Sequence, residues 1–328
     1  MSWRNLLIKR RLRRELQRVM RGRADLAALR AATALPWYEA RLDPGWRVRA
    51  TAPPEPPGEW IERADASQGS DPAAGRAILH CHGGGYMFCT ARTYRPLMTH
   101  LARAVEARGF VPDYRLAPEH RFPAQIEDCV AAYLLLRAQG TPAARIAVTG
   151  DSAGGALAMA VLLRLCALGE ALPACAVLFS PWLDLEATAP SLKTNAARDP
   201  SLVGENVGKG LHLYLGEVAR NDPRASPFHA DLAGLPPLLI QVGDIEVLLD
   251  DSTRFAAKAR AAGVETECRV WKGVPHVWQN FAPVLPEARA AIAEAAAFIR
   301  AKTEARSASP AHRSDSDRGH VTAVTRAG

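Results

Sequence analysis

Ser152 stands in Gly150-Asp-Ser-Ala-Gly154, between a short β-branched run, Ile146-Ala-Val-Thr149, and an alanine-rich helical pattern. A strand, a sharp turn and a helix with serine at the apex make the arrangement that a strained nucleophile requires. Only small residues two positions to either side let such a turn close, and Gly150 and Gly154 meet that condition. The turn lifts Ser152 Oγ above the end of the strand. It also leaves the Ala153 amide at a helix N-terminus, where developing negative charge is favoured. The chemistry implied is acyl transfer, by attack of a serine hydroxyl on a carbonyl carbon. A Gly-Ser-Gly turn is also common as a plain turn, so the other parts of the machinery decide: a base, a carboxylate to orient it, and donors for an oxyanion.

The donors are sought in His82-Gly-Gly-Gly85, where glycines let backbone amides approach a substrate without Cβ obstruction. Gly84 and Gly85 are expected to join Ala153 in that role. A phosphate-binding loop would need a following Lys-Ser/Thr or a spaced G-x-G-x-x-G, and neither is present. His82 is expected to brace this loop rather than to move protons. Of nine histidines, His276 in Gly273-Val-Pro-His-Val-Trp278 is best placed as the base, since it follows a strand and precedes the last helix. The carboxylate should lie just past the apolar run Leu238–Val242, where Asp244, Glu246, Asp250 and Asp251 compete. Asp250 and Asp251 begin a helical pattern and would serve equally as caps.

The elements that must position these residues alternate. Apolar strand patterns at 77–81, 110–112, 146–149, 174–180, 238–242 and 267–271 are interleaved with helical patterns at 97–107, 124–138, 153–168, 250–262 and 286–302. This predicts an α/β fold, a mostly parallel sheet with helices on both faces, and a site at the carboxyl ends of the strands. Residues 36–57, rich in Pro and Trp with little periodicity, read as a loop or crossing segment. Residues 187–235 read as irregular, with a helix near 205–215 and a role in a lid or pocket wall. There are no internal repeats.

With 328 residues, 48% of them hydrophobic, one large core is affordable. The net charge of +7 suggests nucleic acid, but Met1–Arg23 alone carries eight Arg and one Lys against one Glu, or +8, which leaves about −1 for the rest. Charge confined to one segment describes that segment and not a groove across the fold. Residues 4–22 place Leu12, Leu16, Val19 and Met20 on one helical face. The preferred reading is a helix laid on the body as part of a cap; the alternative is a basic amphipathic helix that visits an anionic membrane surface. A second short helix is expected at 25–34. No apolar run is long enough to span a bilayer, and the basic N-terminus is not followed by the apolar segment of a secretory signal. Six scattered cysteines without a C-x-x-C pair fit a reduced, cytoplasmic protein without structural disulfides.

Taken together, His82-Gly-Gly-Gly-Tyr86, Asp113-Tyr-Arg-Leu-Ala-Pro-Glu119, Gly150-Asp-Ser-Ala-Gly-Gly155 and Pro275-His-Val-Trp278 resemble the hormone-sensitive-lipase-like branch of the α/β-hydrolase fold, the GDXG carboxylesterases. The resemblance covers residues 76–302. It implies a serine carboxylesterase with the order Ser, acid, His. Relatives often carry Asp-Pro-Leu at the acid position. Glu246-Val-Leu248 stands there in this chain, which gives Glu246 the acid role and leaves Asp244 as runner-up. The resemblance further implies that Glu119 and Asp151 tie the site loops together and that the N-terminal residues cap the acyl pocket. The domain layout expected is a cap over 1–60, a catalytic α/β-hydrolase domain over 61–302, and a disordered tail over 303–328.

The expected activity is hydrolysis of short to medium acyl esters through an acyl-enzyme, with Trp182 and Trp278 near the pocket and neither metal nor cofactor. A lactone such as a monoterpene lactone is the alternative substrate, and a non-catalytic ligand-binding module of the same fold the alternative function. A small-molecule substrate is the expected partner. Nucleic acid is not, and a homodimer is compatible with the sequence.

Overall fold

The computed structural model describes residues 2–21, 26–33, 45–65 and 75–305. Among these, eight strands form one sheet: β1 (Trp46–Ala50), β2 (Gly58–Arg63), β3 (Arg76–Cys81), β4 (Ala107–Pro112), β5 (Ile146–Asp151), β6 (Cys175–Phe179), β7 (Leu238–Gly243) and β8 (Thr266–Trp271). The order across the sheet is β1-β2-β4-β3-β5-β6-β7-β8. Strands β3 to β8 run parallel, whereas β1–β2 and β2–β4 are antiparallel.

Nine helices accompany the described sheet: α1 (Trp3–Arg21), α2 (Leu26–Thr33), α3 (Arg95–Val105), α4 (Ala124–Ala138), α5 (Ala153–Leu168), α6 (Ser191–Thr194), α7 (Leu211–Leu215), α8 (Leu249–Ala261) and α9 (Pro286–Ala305). One face of the sheet is covered by α4, α5 and α8, through side chains such as Tyr133, Leu157 and Phe255. The other is covered by α3 and α9, through Leu97 and Ile292, with Ile8 and Leu12 of α1 joining that core. The two layers follow from the parallel strands. Each of β3, β5, β6 and β7 is buried along most of its length, so the run of apolar residues needs cover on both sides. Among the described residues no helix is long and apolar enough to cross a membrane.

The structure departs from the sequence reading at the sheet's first edge. Residues 46–50 and 58–63, the first within and the second just beyond the segment read as a loop, form an antiparallel pair with Val48 opposite Ile61 and Arg47 opposite Glu62. Trp46-Arg-Val-Arg-Ala50 does alternate, but its outward residues are arginines held by Glu62, and the prolines that blurred the pattern fall in the connecting turn. Strand β4 is longer than expected, because α3 stops at Val105 and Glu106 takes the left-handed conformation as its cap. The closing helix extends to Ala305, into the expected tail. Trp37, Tyr38 and residues 306–328 lie outside the described residues.

Helix α1 buries Asn5, Ile8 and Leu12, which recur at one-turn and two-turn spacing. Burying the two aliphatic side chains contributes about 2 kcal/mol each. Leu6 faces outward, and the side chains of Leu16, Val19 and Met20 lie outside the description. Four of the six cysteines, Cys81, Cys89, Cys129 and Cys175, are buried as small apolar residues.

Candidate active site

The elbow between β5 and α5 holds Ser152 at φ 52° and ψ −124°, a conformation that costs about 1–3 kcal/mol and persists only where the surroundings enforce it. Several contacts do so here. Ser152 N donates to Phe179 O at 3.0 Å, and its carbonyl accepts from Trp182 N at 2.9 Å and Gly155 N at 3.0 Å. A Cβ on Gly154 would overlap the backbone of Cys81 and His82, so the helix can approach β3 only with glycine there.

The glycine loop follows β3. Gly83 N is already committed, donating to Asp151 Oδ1 at 2.8 Å and to Tyr94 Oη at 3.1 Å. Gly84 turns at φ 105° and Gly85 at φ 58°, and the Gly84 carbonyl accepts from the amides of Met87 and Phe88. No acceptor among the described residues takes the amides of Gly84 or Gly85. Ala153 N, at the first position of α5, has no intrahelical partner either. Gly84 and Gly85 line the same cavity as Ser152, and Ala153 follows it in the chain.

His82 and Asp151 both touch this loop. His82 donates from Nδ1 to Gly83 O at 2.7 Å and stacks on Tyr114 with ring centroids 4.1 Å apart. Burial pushes its pKa down to about 4, against the pull of Gly83 and Asp151, so it stays neutral. Buried Asp151 accepts from Gly83 N and from Tyr94 Oη, and His80 Nε2 lies 3.3 Å away. Glu119 acts at one remove. It pairs bidentately with Arg30 of α2, which holds its carboxyl down at about 2, and Arg30 in turn donates to Met87 O and Ala117 O. The link from the N-terminal segment to the glycine loop is therefore Arg30, which the sequence reading did not single out.

The four competing carboxylates separate cleanly. Glu246 Oε2 lies 2.7 Å from His276 Nδ1, and its Oε1 accepts from Gly243 N at 2.6 Å and from Ser180 Oγ at 2.8 Å. Asp244 accepts from Gly273 N at 2.6 Å and faces Arg198 at 3.5 Å. Asp250 accepts from Ser191 N, and Asp251 from the amides of Leu183 and Asp184. The last two thus hold the 183–191 loop instead of capping α8. Burial raises Asp251 to about 7.

His276 is 10% exposed, and its opening faces the pocket. Burial lowers its pKa, but the hydrogen bond it donates to Glu246, the charge of Glu246 and, further off, Asp199 and Asp151 more than offset this, so the net shift is upward. Ser180 bridges the two loops, since its Oγ also accepts from Val277 N at 3.2 Å. The segment read as irregular supplies a clamp. Asn195 Nδ2 donates to the carbonyls of Asp244 and Glu246 at 3.2 and 2.8 Å, and Asp199 Oδ2 accepts from Val247 N at 2.9 Å. Burial, then the charge of Glu246, raises Asp199 to about 6. Neither residue carried a signal in the sequence, because each acts on backbone more than 40 residues away.

Ser152, Gly84, Gly85 and His276 line one cavity of about 280 Å³ with Trp182, Leu211 and Phe281. Leu12 of α1 and Thr33 of α2 reach its wall, and Ser201 to Leu211 form another side. Trp278 is not there. It is buried on the α3/α9 side against Trp271, 5.7 Å between centroids, because the turn after His276 directs it under the sheet. Elsewhere, Asp184, Glu186 and His229 bring ligand-type atoms within 4.8 Å of one another. Arg254 lies 3.7 Å from that Asp184, which also accepts amide hydrogen bonds, so protein groups already balance its charge.

Residues 78–280 match the model of a family described as having the alpha/beta hydrolase fold. An acetyl-hydrolase from Streptomyces hygroscopicus is 44% identical over 245 residues, 75% of this chain and 80% of that protein. An esterase from Acinetobacter venetianus is 40% identical over 69% of this chain and 75% of its own length. A crystal structure described as an esterase from the bacterial hormone-sensitive lipase family superposes with a TM-score of 0.76 at 44% identity, covering 88% of this chain and 98% of the other.

Proposed function

The chain belongs to the α/β-hydrolase fold family and, within it, to the hormone-sensitive-lipase-like carboxylesterases, and from that premise we propose that Ser152, His276 and Glu246 hydrolyse esters through an acyl-enzyme. The observation that carries this reading is the 2.7 Å contact of His276 Nδ1 with Glu246, at the cavity that also holds Ser152 on its strained turn.

With its Nδ1 proton donated to Glu246, His276 keeps the Nε2 lone pair for Ser152. Oγ attacks the ester carbonyl carbon while Nε2 takes its proton. The oxyanion is received by the amides of Gly84, Gly85 and Ala153, each such donor being worth about 10²–10³ in rate. The tetrahedral species collapses, the C–O bond to the alcohol breaks, and the alkoxide leaves with the proton from His276. Water then attacks the acyl carbon, His276 takes its proton, and the second collapse returns the proton to Ser152 and releases the acid. The raised pKa of His276 favours the imidazolium that forms in both steps.

The acyl group is of short to medium length. The cavity of about 280 Å³ lies at or below the small end of the roughly 300–1,000 Å³ that encloses drug-sized ligands, and Met87, Phe88, Val207, Leu211 and Phe281 give it an apolar wall. The Streptomyces relative named an acetyl-hydrolase is in keeping with this. Helices α1 and α2 act as a cap, contributing Leu12 and Thr33 to the wall.

The test is hydrolysis of p-nitrophenyl esters over a series of acyl lengths, with Ser152→Ala as control. A peak at short chains that vanishes in the variant is expected. Folded wild-type protein that turns over none of the series, or a variant that retains the activity, overturns the assignment.

A further inference from the structure

The basic N-terminal helix is not used by the mechanism, and its outer face has an unusual composition. At about 100° per residue, Asn5, Ile8 and Leu12 point to one side of α1 and are buried. Trp3, Leu6, Leu7, Arg10 and Arg14 fall on the opposite side. Trp3 is 68%, Leu6 49% and Leu7 51% exposed, and these three are most of the exposed large apolar side chains of the described residues. A helix that merely meets water would carry polar residues there. Arg4 stacks its guanidinium over Trp3 at 5.5 Å, and Arg10 and Arg14 continue the face as a basic band.

Beside this face, Leu6, Lys9, Arg10 and Arg13 of α1 border a groove of about 370 Å³ against Arg198 and Ile245. Four cations therefore surround a concavity next to an apolar tip. Within Met1–Arg23 the single acidic residue is Glu15.

From this arrangement we infer that α1 docks the protein on the surface of an anionic phospholipid bilayer. Trp3, Leu6 and Leu7 enter the boundary between headgroups and acyl chains, while Arg10 and Arg14 meet lipid phosphates. Tryptophan and leucine beside a basic band suit that boundary, where one side is apolar and the other is anionic and wet. A nucleic acid would match the charge but would leave the three apolar side chains without cover. The remainder of the chain is near neutral, so the excess positive charge is concentrated in the segment that carries this helix. The docking itself does not depend on the esterase reading.

The experiment is co-sedimentation of the full chain with vesicles of phosphatidylcholine alone and of phosphatidylcholine mixed with phosphatidylglycerol. Binding to the mixed vesicles should be stronger by about tenfold or more and should fall as salt is added. Leu7→Asp with Trp3→Ser should abolish it, and Arg10→Glu with Arg14→Glu should do so separately, with circular dichroism confirming that each variant is folded. If the first pair does not fold, the arginine pair carries the test. Equal binding to both vesicles, no binding to either, or binding that survives the arginine pair overturns the inference. So does tight binding to a homopolymeric RNA that is indifferent to Trp3 and Leu7, which would make the face a general polyanion site.

Discussion

Replacing Glu246 by glutamine should convert the imidazole to the wrong tautomer. Glu246 Oε1 accepts from Gly243 N at 2.6 Å and Ser180 Oγ at 2.8 Å. A glutamine has one acceptor oxygen, and those two donors claim it. Its NH2 group is then left to face His276 Nδ1, which must become an acceptor, so the ring proton moves to Nε2 and the base can no longer take a proton from Ser152. The loss expected in kcat is about 10³–10⁴, or roughly 4–5.5 kcal/mol. Asp244→Asn is the matched control. The asparagine oxygen can keep the bond from Gly273 N, and what is lost is a pairing with Arg198 at 3.5 Å in which Asp244 is 31% exposed. Such a pair is worth about 0–1 kcal/mol, so kcat should fall by less than about tenfold.

The assay is kcat at saturating p-nitrophenyl ester across pH. In the wild type the acidic limb should titrate above 6.5, since the net effect of its surroundings raises His276 and activity requires the neutral base. In Glu246→Gln that support is gone while burial remains, so the limb should move to lower pH. A loss in Asp244→Asn equal to or larger than that in Glu246→Gln would refute the reasoning and transfer the acid role.

Gly84→Ala places a Cβ against the Phe88 carbonyl at a position with φ 105°, so the loop must shift and misaim its amides. kcat should drop by about 10²–10³ with the circular dichroism spectrum unchanged, and an unaltered kcat would remove Gly84 from the oxyanion site. Asn195→Ala removes two donors from the carbonyls of Asp244 and Glu246, at a cost of about 1–3 kcal/mol to that loop. It should lower kcat more than it raises KM, and the reverse pattern would assign Asn195 to the pocket wall instead. Asp251 is raised by burial from 3.8 to about 7, so the folded state keeps a proton that the unfolded state gives up. Stability from this group is full below about pH 4 and is lost as pH rises to about 7, on the order of 4 kcal/mol at most. Asp251→Asn can still accept from Leu183 N and Asp184 N through one oxygen, and it should flatten this part of the Tm-against-pH curve. An unchanged slope would show that Asp251 is ionised in the folded protein.

What could be read from the sequence is what is local. The Ser152 turn, the glycine loop and the His276 loop each place a reactive group within a few residues of the strand that carries it, so residue types and spacing suffice. The choice among four carboxylates is different. Asp244 and Glu246 sit two residues apart in one loop, and only tertiary contacts send one to His276 and the other to Gly273 N. Family resemblance pointed to Glu246 where spacing alone left the choice open. Ser180, Asn195, Asp199 and Arg30 were illegible because each acts across a sequence separation that no local pattern encodes. Trp278 shows the opposite hazard. Adjacency to the base in sequence suggested the pocket, but Val277 takes a left-handed turn and the indole goes to the core. The strand at 46–50 was masked by flanking prolines, although its alternation was present.

In the proposed mechanism Ser152 Oγ carries the acyl group as an ester. The most direct measurement is rapid acid quench of the enzyme with p-nitrophenyl butyrate, followed by mass spectrometry of the intact protein and its peptides. A mass gain of one butyryl group, confined to the peptide containing Ser152 and absent in Ser152→Ala, is the result this account predicts. A butyryl group on another residue, or ester turnover by Ser152→Ala at the wild-type rate, would contradict it.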